Sequence, residues 1–171
     1  AIAGVCAALL MPVFGAIIDH TQHRKLVGVI SGVLAVAAVG AQLSISQSTW
    51  FFVLWMDAIG GFSLLVHAAN TFAYLPDLTL DYAVLSHYTS RINMRQFSVQ
   101  FVYLGIVIII GQVRDLDRSV GSSVQTAKDA AGLAFAIGAI FIGYAWMFLF
   151  RRRPALSKVP EDSTLISTGF R

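Results

Sequence analysis

Residues 26–45 read LVGVISGVLAVAAVGAQLSI, residues 46–49 read SQST, and residues 50–75 read WFFVLWMDAIGGFSLLVHAANTFAYL. Two apolar runs joined by four polar residues decide the fold. An α-helix rises about 1.5 Å per residue, so roughly 20 apolar residues cross a hydrocarbon layer about 30 Å thick. Both runs are long enough. The short Ser46 to Thr49 connection requires them to be antiparallel neighbours in a tight helical hairpin. Trp50, Phe51 and Phe52 then sit where an interfacial aromatic belt belongs. Pro76 ends the second run, because proline lacks an N–H and restricts Leu75 before it.

Three further runs, 1–18, 97–113 and 130–150, match this pair, and Asp57 is the one charge inside any of the five. The expectation is an all-α, polytopic helical membrane protein with about five transmembrane helices. A composition of 57% hydrophobic and 12% charged residues in 171 leaves too little polar surface to coat a water-soluble globule, so lipid supplies the solvent. The net charge of +3 sits beside the ends of the apolar runs rather than in a stripe among aromatics, which argues against nucleic acid as a partner. The lone Cys6 excludes a disulfide framework within the chain and reads as a small buried hydrophobe. The chain opens inside an apolar segment with no positive n-region, so it does not read as a signal peptide. The odd number of runs suggests a piece of a longer protein, with a span before Ala1. Residues 1–153 then form a partial transmembrane bundle and 154–171 a polar linker.

Nine of the twelve Lys and Arg residues fall after the first, third and fifth runs: Arg24, Lys25, Arg91, Arg95, Arg151, Arg152, Arg153, Lys158 and Arg171. Arg114, Arg118 and Lys128 make up the rest. By the positive-inside rule the Arg24, Arg91 and Arg151 sides are cytosolic. Leu78, Tyr82, Leu85, Tyr88 and Ile92 recur at helical spacing, as in a short helix lying along the membrane face or a surface loop with chance periodicity. Gly132, Ala136, Ala139 and Gly143 form a small-residue face suited to close helix packing. The arginines at 151–153 mark topology, with an anionic lipid role as the lesser reading.

The first loop reads Gly15-Ala-Ile-Ile-Asp19-His20-Thr21-Gln22-His23-Arg24-Lys25. It resembles the loop signature between the second and third helices of the major facilitator superfamily. Gly15, Asp19, Arg24 and Lys25 fall in register, whereas His20 and Gln22 depart from the usual basic residue and second glycine. Asp19 lies near a helix C-terminus, where the macrodipole disfavours an unpaired carboxylate by a few tenths to about 1 kcal/mol. It needs a positive partner: Arg24 or Lys25 across the turn, Arg91 or Arg95 in the next loop, or a helix N-terminus from elsewhere in a longer protein. The resemblance implies that these four residues form a conformational latch. Asn70-Thr-Phe-Ala-Tyr74-Leu75-Pro76-Asp77-Leu78, Gln96-Phe97, Tyr103-Leu104-Gly105 and the tail from Leu165 to Arg171 further resemble the autophagy-associated vacuolar amino-acid effluxers. That mapping makes the chain helices two to six of a twelve-helix fold, with a C-terminal half still to come and a vacuolar or lysosome-like membrane as its place.

Asp57 lies about 10 Å inside its helix. A buried acid near the bilayer centre costs about 2.5 to 3.5 kcal/mol, so Asp57 either faces the bundle, finds a partner, or lies shallow enough to reach headgroups. His67 sits about 15 Å further along and cannot touch it. An imidazole can carry protons, but hydrogen bonding across helices is the commoner role. Asn70 and Thr71 share a face with His67. Gln42, Gln100 and Gln112 read as interhelical glue, with Asn70 and Gln100 suited to a polar solute. Asp57, His67, Asn70 and Gln100 are therefore the candidates for a solute or proton pathway.

The expected function is secondary active transport of small solutes, amino acids by resemblance, with no cofactor. Asp19→Asn or Asp57→Asn should then abolish flux. The alternative is a noncatalytic membrane adaptor or receptor that recruits cytosolic partners. An intramembrane hydrolase lacks HExxH, GxSxG and any close acidic pair, and His20 with His23 lacks further zinc ligands.

Overall fold

A computed structural model of the chain describes residues 2–79, 81–113, 120–152, 154, 164 and 167–168, and within them the fold is helical with no strand. Five helices follow in order: α1 (Ile2–His20), α2 (Arg24–Ala41), α3 (Trp50–Phe72), α4 (Tyr82–Val113) and α5 (Val120–Tyr144). Short 3₁₀ turns extend α2 through Gln42–Ser44 and follow α3 at Leu75–Asp77, and a π turn, Ala145–Leu149, closes α5. The side chain of Cys6, Arg114 and Arg118, Arg153, and nearly all of the expected linker 154–171 lie outside the described residues.

The hairpin forms as its sequence requires. Thr49 donates its hydroxyl to the Ser44 carbonyl, its backbone N–H donates to Ser46 Oγ at 3.2 Å, and the two hydroxyls lie 2.7 Å apart. These local bonds pair the polar groups of the turn with one another. Pro76 falls within the 3₁₀ turn, so α3 stops at Phe72, three residues short of the apolar run's end.

Among the described residues, four helical segments are long and apolar enough to cross a membrane: Arg24–Ser44, Trp50–Asp77, Tyr82–Gln112 and Val124–Leu149. The expected first span falls in α1, whose 19 residues run about 28 Å. A correction concerns residues 78–113. The amphipathic segment and the fourth run are one continuous helix, α4, of 32 residues. Asp81 caps it by accepting the Ala83 N–H at 2.9 Å. Between Ile92 and Phe97 no proline or glycine interrupts it, so nothing ends the first half before the second begins. At about 48 Å it outreaches the hydrocarbon by roughly 18 Å.

Helix α2 lies at the centre, packed against α3 and α5, with α1 against α3 and α4 at the periphery. Its buried residues, Arg24, Gly28, Ser31, Gly32, Ala35 and Ala38, fall on one face of the helix, which is small from Gly28 onward. A Cβ at Gly28 would collide with the Trp146 ring and the Asn70 amide, and one at Gly32 would lie 2.8 Å from Ile142. The expected face on α5 is a correction: Ala136 and Ala139 are exposed, and a Cβ at Gly143 would meet nothing within 4 Å. Both helices carry small residues at the right period. The close approach occurs on α2 because large partners, Trp146, His67 and Ile142, reach into it.

Candidate functional site

The three residues between α1 and α2 set the site. Thr21 donates its hydroxyl to the Ile17 carbonyl at 2.6 Å and accepts the His23 N–H at 3.2 Å, making a tight turn that starts α2 at Arg24. Arg24 is 1% exposed in spite of its charge. Its Nε donates to the Ile18 carbonyl at 3.2 Å. Its Nη1 donates to the Ala73 carbonyl at 3.1 Å and to Asp77 Oδ2 at 3.4 Å. The guanidinium carbon lies 5.3 Å from the centroid of the Tyr74 ring.

The chemistry explains why an arginine can sit there. The ends of α1 and α3 present carbonyls that have no partner within their own helices and carry partial negative charge. A planar guanidinium with five N–H groups serves several such acceptors at once. Pro76 stops α3, and the following turn brings Asp77 to within ion-pair distance. The Tyr74 face adds a cation–π contact. Arg24 thus binds the ends of α1 and α3 to the start of α2.

A second layer surrounds it. Asn70 is fully buried and donates to the Arg24 carbonyl at 3.1 Å. Arg24 Nη2 and Asn70 Oδ1 are buried with no hydrogen-bond partner among the described residues. His67 Nδ1 lies 3.4 Å from the Gly28 carbonyl, so this nitrogen carries the proton if the contact is a hydrogen bond. Trp146, from the π turn that ends α5, meets the His67 ring edge-on at 5.6 Å and stacks on Phe150 at 4.3 Å. Tyr74 packs against Phe150 at 4.9 Å and donates its hydroxyl to the Arg151 carbonyl at 3.4 Å. Tyr74, which lies over the guanidinium, thus packs against Trp146 and Phe150 from the end of α5.

The sequence candidates divide between two ends of the bundle. Arg24, His67 and Asn70 come together here. Asp19 is exposed and makes no ion pair among the described residues; the carboxylate facing Arg24 is Asp77. Lys25 is half-buried, and a Cβ at Gly15 would meet nothing within 4 Å. Asp57 is exposed near the Ser46 turn, where it accepts Gln42 Nε2 at 2.9 Å. Gln100 is exposed on α4, as is Gln112. Neither Asp57 nor Gln100 joins the Arg24 cluster. Sequence reasoning passed over Asp77, Tyr74 and Trp146 as members of the site. The usable signal was an acidic residue directly after the proline that stops α3. Among the described residues no three His, Cys, Asp or Glu side chains group as metal ligands.

The chain matches no family model, no curated protein and no solved structure. Its class rests on its own geometry: among the described residues it is all-helical, with four helices long and apolar enough to cross a membrane, and the ends of α1 and α3 meet the start of α2 at a buried guanidinium.

Proposed function

We propose that the chain is part of a secondary active transporter of small solutes, working by alternating access, with the Arg24 cluster as its conformational clasp. The observation that carries the reading is a fully buried arginine held by two helix-end carbonyls, one carboxylate and one aromatic face. A charge inside a membrane bundle is costly, and such residues characteristically mark solute paths or moving parts. A purely structural contact would be served as well by apolar side chains. Polar contacts shared among three helices break and reform together when one helix shifts, which is the two-state element that alternating access needs. Gly15 and Asp19 on α1 and Lys25 on α2 flank the clasp, and His67 and Asn70 supply polar groups beside it. Asp57 and Gln100 would serve the solute path away from the clasp.

Amino acids are the proposed solutes, a vacuolar or lysosome-like membrane the proposed place, and a second helical half the proposed partner. All three rest on the resemblance of the first loop and the Asn70 to Leu78 segment. The test is flux of radiolabelled amino acids through the full-length protein in vesicles. Arg24→Met should reduce flux at least roughly tenfold with the protein still inserted, since a factor of ten corresponds to only about 1.4 kcal/mol. Unchanged flux would overturn the reading. The adaptor alternative is favoured by one observation, the roughly 18 Å by which α4 exceeds the hydrocarbon. An adaptor would carry no flux and would keep its partners in Arg24→Met.

A further inference from the structure

Two hollows meet at Val29, on the outer side of the clasp. The first is a cavity of about 690 Å³ whose lining includes His23, Lys25 and Arg152. Among the described residues no acidic side chain lines it, and neither Lys25 nor Arg152 has an ion-pair partner. The second is a groove of about 360 Å³ between α2 and α5, walled by Val29, Gly32, Val36, Ala139, Ile142 and Gly143 among others, all apolar. It runs within the two helical segments long enough to cross a membrane, Arg24–Ser44 and Val124–Leu149. The absent side chains at Gly143 and Gly32 and the short one at Ala139 keep it open.

We propose that this joined hollow holds one phospholipid with an anionic headgroup. The phosphate lies between Lys25 and Arg152, and an acyl chain lies in the α2–α5 groove. A cationic mouth continuous with an apolar furrow is complementary to an amphiphile with a negative head and a long tail. A free phosphate would use only the mouth. A peptide in the furrow would leave its backbone polar groups without partners. Basic residues at the membrane surface favour anionic over zwitterionic lipid by roughly five-fold per charge.

The test is native mass spectrometry of the delipidated full-length protein, titrated separately with phosphatidylserine, phosphatidylcholine and inorganic phosphate. One phosphatidylserine should be retained in preference to phosphatidylcholine, and a large excess of inorganic phosphate should not displace it. Lys25→Gln with Arg152→Gln should lower that preference at least roughly ten-fold. Ala139→Phe fills the furrow from an exposed position, so it should leave the melting temperature unchanged and abolish retention. Three outcomes would overturn the proposal: preference surviving the double substitution, displacement by inorganic phosphate, or retention unaffected by Ala139→Phe. None of them depends on whether the protein carries flux.

Discussion

The α2–α3 hairpin carries a polar contact at each end, and the two could hardly differ more. At the Ser46 end Asp57 and Gln42 meet at 2.9 Å on an exposed surface, one bond between two side chains. At the Arg24 end the ion pair with Asp77 is longer, 3.4 Å, yet the arginine is 1% exposed and also serves the Ile18 and Ala73 carbonyls. The shorter bond is the weaker constraint. Burial and the number of helices a side chain joins, rather than any one distance, decide which contact can hold the bundle in a state.

The largest expected effect is at Arg24. Arg24→Ala leaves Asp77, two helix-end carbonyls and the Asn70 layer without their cation, and should cost about 3–5 kcal/mol in chemical unfolding of the full-length protein in detergent. Asp77 keeps 15% of its side chain exposed, which favours the lower part of that range. A loss as small as that at Asp57 would erase the difference between the two ends. Gly28→Ala comes next. Its Cβ would run into the Trp146 ring and the Asn70 amide, an overpacking that should cost about 1–3 kcal/mol, while Gly143→Ala should stay within about 0.5 kcal/mol by the same melt.

Asn70→Ala should follow at about 1–3 kcal/mol, because the Arg24 carbonyl loses its buried donor. The smallest shift belongs to Asp57→Asn. An amide oxygen still accepts from Gln42, so thermal denaturation should register less than about 1 kcal/mol. A drop of several kcal/mol there would mean that the Ser46 end is the constrained one.

Much of the architecture was legible because lipid imposes it. Run length, the SQST turn and Pro76 fixed the hairpin, since each acts through neighbours in sequence. What escaped was set by side chains distant in sequence. Nothing local showed that Tyr82 to Val113 is one rod, although the absence of a breaker between Ile92 and Phe97 was the available clue. The two small-residue faces, on α2 and α5, look alike in sequence. Which one packs closely depends on where Trp146 and His67 reach. Arg24, His67 and Asn70 were singled out singly, but their meeting depends on the packing of α3 on α2, which brings Asn70 to the Arg24 carbonyl and His67 to the Gly28 carbonyl. Asp19 drew attention because it stands in the loop motif, whereas the carboxylate on Arg24 comes from the end of α3.

The claim that Arg24 and Asp77 form a clasp is tested most directly by a double-mutant cycle. Arg24→Met, Asp77→Asn and their combination would be unfolded in the full-length protein under one set of conditions. A clasp predicts that the double variant loses less than the sum of the single losses, by at least about 1 kcal/mol. Losses that add to within about 0.5 kcal/mol would mean that the two residues do not hold one another, and would contradict the account.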